Sequence, residues 1–175
     1  MSGYPDELSD RKLRSSKLNI LAIVGISLAA ILFQVYVPRL VRVLGYLELP
    51  LLVTVYFALM RRSPIAGVLF GSCIGLAQDS LAPQQPLGMY GIVNTLVGYF
   101  AASVSQRFAV EHPAIRLVLC FFFYFFHAFF YWVLARALLG EALDFDLPQT
   151  LVLAVLNAAV AVPLFRTLDK LKING

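Results

Sequence analysis

The chain has 175 residues, of which 60% are hydrophobic and 14% charged, with a formal net charge of +4. A soluble domain of that size could not hide so much apolar surface, so lipid must cover the outside. The positive balance does not point to nucleic acid, because no basic cluster is interleaved with aromatic residues in a polar segment.

Met1 to Lys17 is polar and mixed in charge. It is too long and too mixed for a signal n-region, and reads as a cytoplasmic tail over residues 1–17. Six apolar segments follow: Leu18–Val37, Val41–Met60, Pro64–Leu81, Gly88–Ser105, Ile115–Leu138 and Leu147–Arg166. At about 20 residues per crossing they predict an all-α polytopic membrane protein with six transmembrane helices over residues 18–166 and a cytoplasmic tail over residues 167–175. The first segment has no small-residue cleavage site and is expected to remain as a span. The second is the weakest: Glu48 and Pro50 interrupt its outer half, so a kinked or partly interfacial helix is expected.

Basic residues in short loops stay on the cytoplasmic side. Six crossings from a cytoplasmic amino terminus put Arg11, Lys12, Arg14, Lys17, Arg61, Arg62, Arg107, Arg116, Arg166, Lys170 and Lys172 inside, and only Arg39, Arg42 and Arg136 outside. Removing the second crossing would exchange every later loop and reverse the excess. Both termini are therefore expected in the cytoplasm.

The third segment carries Gly67, Gly71, Gly75 and Asp79 at every fourth position of an otherwise apolar run. Such a stripe lets two helix backbones approach closely, and its spacing suits a right-handed crossing. Gly91, Thr95, Gly98, Ala102 and Ser105 make a second small stripe in the fourth segment, with the 3.5-residue period of a left-handed pair. The polar turn Ala82–Leu87, with two prolines, makes the two segments an antiparallel hairpin whose stripes face each other. Asp79 then sits roughly 22 Å up a core about 30 Å thick. Two readings of it stand side by side: a helix-end group bonded to the Gln84–Gly88 turn, or a direct partner-binding group.

From Phe121 to Trp132 every residue except His127 and Ala128 is aromatic, so rings point to all sides of the fifth helix and some meet lipid or another protein. His127 has no second ligand at metal spacing in its segment and reads as a packed or hydrogen-bonded side chain. Asn157, flanked by Ala154, Ala158 and Ala161, is expected to bond across to a neighbouring helix, and Pro163 to kink or end the sixth helix. Glu141, Asp144 and Asp146 form a solvated acidic loop. Cys73 and Cys120 fall inside spans and behave as small apolar side chains. Ser72 and Ser80 have no histidine at readable spacing, no glycine-rich loop opens a soluble helix, and no cofactor or catalytic residue is assigned.

Leu49-Pro50-Leu51-Leu52 leading to Arg61-Arg62, then Gly71-x-x-x-Gly75-x-x-x-Asp79, then a short turn ending in Leu87-Gly88, resembles the bacterial rod shape-determining protein MreD family over roughly residues 45 to 110. Gly71, Gly75, Asp79 and Gly88 correspond to its recurrent positions. The resemblance implies a non-enzymatic inner-membrane subunit of the cell-elongation machinery. Its partners would be MreC, the actin-like MreB, and RodA with its class B penicillin-binding transpeptidase, with a homodimer also open. It further implies a fold similar to the substrate-binding subunits of energy-coupling-factor transporters. The residues singled out for helix packing or partner binding are Gly67, Gly71, Gly75, Asp79, Gly88 and Asn157. The rival reading is a solute-binding subunit of such a vitamin transporter, for which only Asp79, Gln78, Asn94 and Asn157 offer polar groups. A small channel would want a polar stripe on several helices, and none is visible.

Overall fold

The computed structural model describes residues 20–81, 88–108, 110, 112–140, 142 and 144–173. The tail over residues 1–17, the turn Ala82–Leu87 and Glu141 lie outside them. Six helices follow one another: α1 (Ile20–Leu40), α2 (Leu49–Arg61), α3 (Pro64–Leu81), α4 (Met89–Ser105), α5 (Pro113–Leu139) and α6 (Leu147–Ile173), with a single 3-10 turn, Arg42–Tyr46, before α2. All regular structure among the described residues is helical. Five stretches are long and apolar enough to cross a membrane: Leu21–Leu40, Arg42–Arg61, Pro64–Leu81, Pro113–Leu139 and Leu147–Lys170. α4, with 17 residues, stands at the short end of the roughly 17–25 that a crossing needs. The chain is a multi-pass, all-α membrane protein.

α2 is the axis of the bundle. Every residue from Pro50 to Leu59 is buried, and α1, α3, α4, α5 and α6 all pack against it. A helix that is apolar on all sides is suited to this central place, since no face asks for water. The Thr54 hydroxyl donates back to the Pro50 carbonyl at 2.9 Å. Pro50 itself lies in the first turn, where its missing N–H leaves nothing unpaired. The second segment is broken, as expected of a kinked helix: Arg42–Tyr46 forms the 3-10 turn with none of its residues buried, and Leu49–Arg61 continues as the central helix. α1, by contrast, is peripheral, with Leu21, Val24, Leu28 and Leu32 exposed to the surroundings that lipid would fill.

Pro163 does not end α6, which continues to Ile173. A proline removes one backbone hydrogen bond, and a further turn survives where packing holds it. Here the continuation carries Asp169, which accepts from the Tyr56 hydroxyl at 2.9 Å and pairs with Arg116 of α5. Arg116 also donates from Nε to the Val110 carbonyl at 2.7 Å. This network fastens α2, α5 and α6 at the end of the bundle where Arg61, Arg62, Arg107 and Arg166 also gather.

Candidate functional site

The tightest contact in the fold is between α3 and α4. A Cβ added at Gly67 would stand 2.2 Å from the Gly98 carbonyl oxygen, one at Gly71 would stand 2.1 Å from that of Asn94, and one at Gly75 would stand 2.4 Å from that of Tyr90. From the other side, a Cβ at Gly98 would lie 2.1 Å from the Gly67 carbonyl oxygen. No side chain fits in such gaps, so backbone meets backbone along the full hairpin and the gain is dispersion and weak Cα–H···O contact. The two small stripes face each other in antiparallel register. α4 therefore fills the groove that the glycines of α3 leave.

Asp79 sits at the end of that interface, one turn beyond Gly75 and 2% exposed. Its Oδ2 accepts from Gly88 N at 3.0 Å and Gly91 N at 2.9 Å, and its Oδ1 accepts from Tyr90 N at 3.1 Å. These are among the first amides of α4, which have no partner within their own helix. A carboxylate there also meets the positive end of the helix dipole. Gly88 makes the entry possible: as the residue before α4 it holds φ at +98°, in the left-handed region that a side chain strains. The carboxylate is fully engaged by backbone amides of the same hairpin.

Asn157 closes the interruption before α2. Its Oδ1 accepts from Glu48 N at 2.8 Å, and its Nδ2 donates to the Tyr46 carbonyl at 2.9 Å and to the Leu153 carbonyl at 3.0 Å. Asn157 is fully buried and lies ten residues into α6, roughly 15 Å along it. Irregular backbone at that depth is tolerated only where protein satisfies its polar groups. One amide side chain does so for both a donor and an acceptor.

Beside these two capped features lies a third polar group of residues that sequence reasoning largely missed. Gln78 accepts from Asn94 Nδ2 at 3.3 Å and reaches the Glu48 carboxylate. Tyr90 and Tyr124 are close enough to Glu48 to feel its charge. The Tyr90 ring stacks on His127, centroids 6.0 Å apart, and packs on Tyr131 at 5.3 Å. Asn94 is 0% and His127 4% exposed. Within this group Glu48 Oε2, Asn94 Oδ1 and His127 Nε2 are buried with no hydrogen-bond partner. Glu48, Tyr90, Tyr124 and His127 come from three separate parts of the chain, and no local spacing joins them. Tyr124, His127 and Tyr131 share a face at offsets of three and four residues, the one sequence signal that could have pointed here.

The rest of the aromatic run spreads around α5, with Phe123 buried and Phe122 and Phe129 exposed. Ser72 and Ser80 donate to carbonyls of their own helix, Leu69 and Leu76. Cys73 is exposed and Cys120 buried, both as free thiols. Among the described residues no three His, Cys, Asp or Glu side chains gather as a metal ion would need.

Against known proteins, no curated protein and no solved structure matches the chain. The family model of the rod shape-determining protein MreD matches residues 15–171. That match takes in the first five helices and all but the last two residues of α6, with the glycine hairpin, its Asp79 cap and the Asn157 closure, and the chain belongs to the MreD family of rod shape-determining membrane proteins.

Proposed function

We propose that this chain is a non-enzymatic subunit of the bacterial cell-elongation complex, held in the inner membrane with both termini in the cytoplasm. In this reading it binds MreC and helps to position or regulate RodA and its class B penicillin-binding transpeptidase, in concert with MreB. The observation that carries the reading is the family match over residues 15–171. The arrangement of the bundle supports it. α3 and α4 use their small faces on each other, so partner contact falls to the outward faces, above all those of α1, where Gly25 has nothing within 4 Å and apolar side chains are exposed.

Two measurements test this. Deleting the gene should round rod-shaped cells, and detergent extraction of the tagged full chain should bring MreC with it. Cells that keep their shape but acquire a nutrient requirement would overturn the reading in favour of a vitamin-transporter subunit. That rival has lost support in one respect. Of its four polar groups, Asp79 and Asn157 are occupied by backbone, leaving Gln78 and Asn94.

A further inference from the structure

A buried polar atom without a partner costs free energy that folding must recover elsewhere. One such atom can be an accident of packing. Three in one neighbourhood, brought by two helices and the segment leading into the central one, ask for a common occupant. Glu48 Oε2, Asn94 Oδ1 and His127 Nε2 are buried and unpartnered. The residues are joined through Gln78, which bonds Asn94 and reaches Glu48, and through Tyr90, which lies within electrostatic range of Glu48 and stacks on His127.

The three atoms share a chemistry. A carboxylate oxygen and an amide oxygen are acceptors, and an imidazole nitrogen accepts in one of its two neutral tautomers. The only ion pair between described residues is Arg116 with Asp169 at the other end of the bundle, so no described cation neutralises Glu48 through such a pair. Beside the acceptors the Tyr90 ring packs on both His127 and Tyr131, so aromatic side chains wall the cluster. A group with three N–H donors, one positive charge and a size that tolerates aromatic walls answers all of these at once. We propose that this cluster is a binding site for a primary ammonium group, carried either by a small free amine or by an amine-bearing lipid headgroup.

Glu48, Tyr90 and Tyr131 are partly exposed, whereas Asn94 and His127 are buried. Glu48 supplies the charge, and Asn94 and His127 fix direction. Asp79 is not part of the site, because its oxygens are committed to the amides of α4.

The test uses the purified full chain in detergent and in nanodiscs. Its thermal midpoint is followed against ethanolamine, against ethylene glycol as a neutral isostere, and in phosphatidylethanolamine compared with phosphatidylglycerol bilayers. A saturable rise with ethanolamine but not ethylene glycol supports the site and assigns it to free amines. A rise confined to phosphatidylethanolamine discs supports it and assigns it to the headgroup. In either case Glu48→Gln should weaken the response by about tenfold or more, as removal of a hydrogen bond to a charged group implies, and His127→Phe should weaken it while keeping the ring against Tyr90. No saturable response to either source, or equal responses to ethanolamine and ethylene glycol, would mean that ordered water alone fills the cluster, and would overturn the proposal. Should Glu48→Gln fail to fold, the wild-type comparison of charged with neutral probe decides alone.

Discussion

A carboxylate inside a helical bundle is tolerated only if its oxygens are met by donors. Asp79 shows how little is needed when the donors are backbone amides at a helix start: three hydrogen bonds, each about 3 Å long, and a favourable dipole. The side chain therefore matters by its oxygens more than by its charge. Asp79→Ala would leave three buried amides unmet, at about 1–3 kcal/mol each. Asp79→Asn can keep the Oδ2 position, which serves Gly88 and Gly91, and lose only the bond from Tyr90. The thermal midpoint of the purified protein should fall markedly for Asp79→Ala and clearly less for Asp79→Asn. Equal losses would show that the negative charge, and not the cap, is what the fold requires. The two readings of Asp79 left open by the sequence differ in this respect, because a partner-binding acid would lose its partner in Asp79→Asn while keeping its stability.

Between helices, the contrast is between a glycine that is crowded and one that is free. Gly71→Ala places a methyl group 2.1 Å from a backbone carbonyl oxygen that has no rotamer to change, so the helices must separate along the hairpin. Overpacking of this kind costs about 1–3 kcal/mol or more. Gly25→Ala in α1 meets nothing and should improve helix propensity slightly. Thermal unfolding of the two variants, side by side, is expected to show a large loss for the first and none for the second; a stable Gly71→Ala protein would disprove the close approach. The hairpin was legible in the sequence because glycines four residues apart have one physical use in an apolar helix, and the chain is short enough between them to force an antiparallel neighbour. The interruption before α2 was half legible. Glu48 and Pro50 betrayed a break, but low hydropathy alone cannot show that its backbone is tied to Asn157, more than a hundred positions later in the chain. The polar cluster was illegible for the same reason on a larger scale. Glu48, Gln78, Asn94 and His127 acquire meaning only once α2, α3, α4 and α5 are packed together, and each alone looks like an isolated polar residue.

For the molecule as a whole, the two ends of the bundle differ in charge, and the proposed orientation rests on that difference. Arg61, Arg62, Arg107, Arg166 and Lys170 are exposed at the end tied by the Arg116–Asp169 pair, while exposed Arg39, Arg42 and Arg136 belong to the other end. Gln106 donating to the Arg62 carbonyl at 3.1 Å joins the α2–α3 and α4–α5 connections at the richer end. Basic residues near span ends are retained in the cytoplasm, so the richer end faces inward on the proposed orientation. On that orientation the polar cluster and the Asp79 cap lie toward the extracytoplasmic side, and the Arg116–Asp169 tie lies toward the cytoplasm. A fluorescent protein fused after Gly175 should therefore fold and fluoresce, and alkaline phosphatase fused at the same position should stay inactive. Active phosphatase there would mean either that the molecule is inverted, with the amino terminus outside and the cluster on the cytoplasmic side, or that the number of crossings is odd.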